Sequence, residues 1–190
     1  MARRRRGVPE AIPFPGDARQ DPRADRRRLT GPSPTAALLA RWQRLGGSRP
    51  GRWLFSRLVG RAARYSGSIR PLVLELAPGR CRVQMRDRPA VRNHLRSIHA
   101  VALMNLGEMA TGLATLAALP VEARAILVGL AMEYRKKARG TLVADCSCRV
   151  APAADEREET VRAEIRDRDG DVVAVATATW RIGPRPEDRR

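Results

Sequence analysis

Residues 98–119 read IHAVALMNLGEMATGLATLAAL and are closed by Pro120. Met, Leu and Ala are strong helix formers, and proline cannot continue a helix, so this run predicts one long helix that stops at Leu119. It is apolar on nearly every side. Such a helix must be covered by protein or by lipid. Its length approaches that of a membrane span, but Glu108 stands at its middle and strand patterns surround it, which favours burial in protein.

The cover is legible on both sides of the run. Leu72–Leu76 and Arg82–Met85 are short apolar-rich strands joined by Ala77-Pro78-Gly79, a tight-turn sequence. Beyond Pro120, strands are expected at Ala123–Tyr134, Gly140–Val150, Thr160–Arg168 and Val172–Ile182, the last two joined by the hairpin signal Asp169-Gly170. Two strands, a buried helix and four strands predict an α+β fold in which a curved antiparallel sheet wraps the helix.

Upstream, Leu38, Leu39, Trp42 and Leu45 recur at helical spacing before Gly46-Gly47. A second helix is expected after Pro50-Gly51, carrying Trp53, Leu54, Phe55, Leu58 and Val59 and ending near Gly60. It leaves Arg52, Arg57, Arg61 and Arg64 for solvent or a ligand. Residues 1–34, rich in Arg, Asp, Pro and Gly without apolar period, are expected to form a disordered basic arm.

The formal charge is +17 over 190 residues, and it is unevenly spread: residues 31–70 hold eight Arg and no acid. All but two of the 37 basic residues are Arg, the bias of a GC-rich coding sequence, and the few aromatics (4%) are not interleaved with them as a single-strand nucleic-acid platform requires. A nucleic-acid role therefore ranks last. Three cysteines, Cys81, Cys146 and Cys148, form neither a zinc pattern nor a disulfide framework. The Arg3–Arg6 run is followed by no apolar stretch. A cytoplasmic protein without metal or redox cofactor is expected.

Glu108 is the first candidate for chemistry, because a carboxylate within an apolar helix costs several kcal/mol unless paired, and burial raises its pKa toward the range of a useful base. A Glu whose head reaches a neighbouring Arg or the helix surface is the bland alternative. Just ahead of the helix, Asn93 and His99 lie where the free N–H groups of a helix N-terminus can hold an oxyanion. Either can also be a turn or capping residue. Tyr134 to Gly140 concentrates four cations in a connection between strands, a solvated turn or a phosphate site.

Asn93, His99 six positions on, and Glu108 nine further, on an apolar helix, resemble the motif of hotdog-fold acyl-CoA thioesterases of the phenylacetate-pathway (PaaI-like) type. Trp42, Trp53-Leu54-Phe55-Ser56 and Asn93-His94 are similar to a bacterial DUF4442-type branch of that fold. The resemblance implies N-terminal helices over 35–66, a hotdog domain over 67–183 and a tail over 184–190. It implies Glu108 as base or nucleophile, the Ala100 amide, with that of Val101, on the thioester carbonyl, Asn93 orienting water or carbonyl, and His99 fixing the turn. Lys136, Lys137, Arg139 and Gly140 would hold the nucleotide end of coenzyme A, which enters as part of the substrate. Dimers or dimers of dimers with sites between subunits are the expected assembly. The family's two glycines after the histidine are Ala100 and Val101 here, so a non-catalytic protein binding acyl-CoA or a lipid-like ligand is the second expectation.

Overall fold

The computed structural model describes residues 34–150 and 155–185. The arm expected over 1–34 and the tail expected over 184–190 therefore fall almost wholly outside the described residues. Six strands form one antiparallel sheet: β1 (Leu72–Ala77), β2 (Arg80–Met85), β3 (Ala123–Tyr134), β4 (Leu142–Ser147), β5 (Arg157–Arg166) and β6 (Val172–Pro184), in the order β1-β2-β4-β5-β6-β3. The β1–β2 turn closes at Gly79, whose φ of +72° suits glycine and whose Cα faces the Cys148 carbonyl so closely that a Cβ would lie 2.3 Å from that oxygen.

The predicted long helix is α4 (Ala100–Ala118). It touches all six strands, as its all-round apolar surface demands, and Leu106, Ala110 and Ala114 are fully buried. Each large aliphatic side chain buried this way contributes about 1.5–3 kcal/mol. Gly107 permits the closest approach: a Cβ there would meet Ala176 Cβ on β6 at 2.4 Å. Among the described residues α4 alone is long and apolar enough to cross a membrane, and most of it is buried inside the protein.

Three helices precede the sheet: α1 (Pro34–Leu45), α2 (Arg49–Ala62) and α3 (Arg64–Gly67). Pro50-Gly51 does not precede α2 but lies in its first turn. Ser48 caps the helix by accepting from the Gly51 N–H at 3.1 Å, and a proline in the first turn forfeits no helical bond. α2 also runs past Gly60. The sequence reading missed α3, a single turn folded back on α2 where Gly60 and Gly67 meet without side chains. β5 begins at Arg157 rather than Thr160, because its charged residues pair with β6 as readily as apolar ones. Cys81 and Cys146 oppose each other across β2 and β4, both buried and free.

Candidate functional site

Along α4 the flank bearing Glu108 is the one the sheet leaves open, and α3 covers part of it. Ser66 Oγ donates to Glu108 Oε2 at 3.4 Å, and one turn earlier Asn105 Nδ2 donates to the Tyr65 carbonyl at 3.1 Å. No cation lies within ion-pair distance of the half-buried Glu108 among the described residues, which removes the bland reading of an arginine partner. Burial therefore pushes its carboxyl above the ordinary glutamate range, with the long Ser66 hydrogen bond pulling weakly the other way. The Asn105 Oδ1 is buried without a hydrogen-bond partner among the described residues. Tyr65, Ser66 and Asn105 escaped the sequence reading. A single-turn helix carries no periodicity, and the polar stretch Tyr65-Ser66-Gly67-Ser68 was the only available signal.

The second group of predicted residues gathers at the N-terminus of α4. His99 is its N-cap, with ring Nδ1 accepting from the Val101 N–H at 3.1 Å. That donor is thereby occupied, while the Ala100 N–H has no hydrogen-bond partner among the described residues and Ala100 itself is exposed. Asn93 spends its side-chain oxygen on its own loop, accepting from Leu95 N, Ser97 N and Ser97 Oγ at 2.9, 3.2 and 3.1 Å. It shapes the approach to the helix.

The basic connection lies against this same end of α4. The Tyr134 hydroxyl donates to the Ala100 carbonyl at 3.2 Å, and the Ile98 N–H donates to the Ala138 carbonyl at 2.9 Å. Its cations differ in their circumstances. Lys136 Nζ is bonded to Asp167 at 2.9 Å and Asp171 at 2.5 Å, and the Gly140 N–H is given to Asp87 at 2.9 Å. Lys137 and Arg139 are exposed and make no ion pair among the described residues.

The predicted residues thus form two groups. Glu108 lies eight residues along α4 from Ala100, about 12 Å at 1.5 Å per residue. One small reacting group cannot touch both within a single chain.

A curved antiparallel sheet around a long buried helix, with a carboxylate at mid-helix and polar residues at its N-terminus, defines a hotdog-fold protein. The sequence model of the DUF4442 family, a domain of unknown function, matches residues 51–182, and the chain belongs to that family. The genomics protein APC5556 is 29% identical with a TM-score of 0.67 over 80% of this chain and 99% of its own. The probable thioesterase PA5026 from Pseudomonas aeruginosa is 20% identical with a TM-score of 0.61, over 68% of this chain and 93% of its own. A variant of the phenylacetic acid degradation protein PaaI from Thermus thermophilus is 23% identical with a TM-score of 0.54, over 62% and 97%. No curated protein sequence matches this chain.

Proposed function

We propose that the protein hydrolyses an acyl thioester, acyl-CoA being the principal candidate, in a site completed by two subunits. The observation that carries this is Glu108, a half-buried carboxylate hydrogen-bonded by Ser66 with no cation within ion-pair distance among the described residues, an environment whose burial pushes its pKa up. Such a group is poised to take a proton from water. The hydroxide so formed adds to the thioester carbonyl, the C–S bond then breaks, and the proton held by Glu108 passes to the departing sulfur. Water and thioester give acid and thiol. The Ala100 N–H, unengaged at the helix N-terminus, faces the developing oxyanion, with Asn93 and His99 holding the loop in place. Since Glu108 and Ala100 are about 12 Å apart along one helix, the Ala100 amide comes from a second copy of the chain. β3 is an edge strand that exposes Ile126 and Val128, a surface suited to that pairing. On the nucleotide end of coenzyme A, Lys137 and Arg139 are the free cations of the basic turn, and Lys136 is already neutralised.

A second reading, a binder without hydrolysis, has its own observation. Val101 stands where the resembling enzymes have glycine, and its N–H is taken by His99, so the oxyanion site is reduced to one amide. A panel of acyl-CoA chain lengths assayed by thiol release separates the two. Turnover in the wild type that Glu108→Gln abolishes supports the hydrolase. Binding without turnover in the wild type leaves the binder, and undiminished turnover in the variant removes Glu108 as the base.

A further inference from the structure

Between α2, α3 and the first two strands runs a groove of about 800 Å³. Arg57, Arg61, Arg64, Arg70, Arg86 and Arg88 line it, and no Asp or Glu does. None of the six is ion-paired among the described residues, and the sequence offers no acid between Asp25 and Glu75. Their mutual repulsion is visible at Arg88: burial, and then the nearby charge of Arg70, lower its pKa. Its Nη2 donates to the Ser68 carbonyl, while its Nε is buried with no hydrogen-bond partner among the described residues. Six guanidinium groups converging on a concavity, one of them with an unanswered donor, call for an anion with several oxygens.

A second feature narrows the anion. Trp53 lines the same groove, is 60% exposed, and has the Arg57 guanidinium 5.8 Å above its ring. An exposed indole beside a phosphate-binding set is a platform for a planar base. It is the one aromatic lining the groove among the described residues, whereas a surface tracking a nucleic-acid strand would need a succession of them.

We propose that this groove binds the phosphorylated adenine nucleotide end of the thioester ligand, with the base on Trp53 and the phosphates among the arginines. The groove itself points to a planar base with phosphates, and the identity of that ligand as the nucleotide end of a thioester, like its direction, rests on the acyl-CoA reading above. Arg64 and Gly67 of the groove flank Ser66, whose hydroxyl holds Glu108, so a ligand seated here extends its acyl end past α3 toward that carboxylate. The basic turn, where Lys136 is already held by two aspartates, is then not the principal phosphate site.

Adenosine 3′,5′-bisphosphate is the probe, because it carries the nucleotide end and no thioester. Titrated calorimetrically into the full chain, it should bind, more weakly as salt rises. Arg57→Gln, Arg61→Gln and Arg70→Gln combined remove exposed side chains with no hydrogen bond or ion pair among the described residues, and should weaken binding by roughly tenfold or more. Trp53→Ala should weaken it by roughly fivefold or more, with little salt dependence. Lys137→Ala with Arg139→Ala should matter less than the groove triple. The proposal is overturned by absent binding in the wild type, by the reverse ranking of the two sets, by inorganic tripolyphosphate binding as tightly with Trp53→Ala without effect, or by a single-stranded oligonucleotide binding more tightly at equal salt. Nucleotide binding without hydrolysis of any acyl-CoA would remove the hydrolase and leave the groove. Hydrolysis without nucleotide binding would do the opposite.

Discussion

On the strands, Arg82 sits 2.7 Å from Glu75 and 3.2 Å from Asp145, Arg181 is 3.0 Å from Glu158, and Arg166 bonds Glu164. Around α2 and α3, six arginines line one groove and meet no carboxylate among the described residues. Arg supplies nearly all the cations of both regions, but only the strands carry carboxylates among them. Cross-strand registry, and for Arg166 and Glu164 the two-residue period within β5, places residues of opposite charge side by side, so these charges are neutralised locally. The helices come from a stretch without acids, and folding only concentrates their charge. Glu108 shows the converse on the same helical side, a carboxylate without a cation. An uneven distribution of unpaired charge marks where a ligand fits, and the net charge of +17 does not.

The sharpest way to break this contrast is to remove one carboxylate from each region. Glu108→Gln should lower acyl-CoA turnover by roughly 10²-fold or more, the scale of losing a positioned acid–base group. Glu158→Gln, on the sheet, should leave turnover nearly unchanged in the same thiol-release assay. Equal losses would mean that pairing does not distinguish the regions.

Where the helical side meets the sheet, packing is tested by Gly107→Ala. The new methyl would collide with Ala176 at 2.4 Å, and overpacking of this kind costs typically about 1–3 kcal/mol, read as a lowered denaturant midpoint at unchanged slope. A stable Gly107→Ala variant would show that α4 can lift off β6.

The pH dependence of Glu108 is a smaller effect. Its pKa is raised on folding, so the folded state binds the proton more tightly than the unfolded chain does. That contribution is fully present below the ordinary glutamate pKa and is lost as pH rises through the folded value. Glu108→Gln should therefore gain stability over the wild type at neutral pH, with the gain disappearing in acid. If Glu108 must be ionised to act, the acid limb of kcat/KM should fall above the ordinary glutamate range. A limb at or below that range would remove Glu108 as the base.

The smallest effect is expected at Lys136, whose pKa is driven up by its hydrogen bonds to Asp171 and Asp167. Exposed pairs of this kind add little stability, so Lys136→Met should barely move the melting temperature, and it should weaken adenosine 3′,5′-bisphosphate binding less than the groove substitutions do. A larger loss than at the groove would return the phosphates to the turn.

The elements were legible from local periodicity and propensity: the apolar run ending at Pro120, the alternating strands, the turns at Gly79 and Gly170, and the anomaly of Glu108. Asn93 and His99 stood out by their spacing from Glu108, which resembles the thioesterase motif, and Ala100 followed from that resemblance. Tertiary structure alone decided which polar groups meet. Ser66 and Asn105 became part of the Glu108 surroundings because a single-turn helix, invisible to periodicity, folds back at Gly60 and Gly67. Lys136 was lost as a free cation because the β5–β6 turn brings two aspartates more than thirty residues away to its side. Arg57, Arg61 and Arg70 gained a common target because α2, α3 and β1 enclose one groove. Secondary structure follows from interactions a few residues apart along the chain, whereas the charge state and partners of a site depend on groups brought together from distant positions, and no local pattern encodes them.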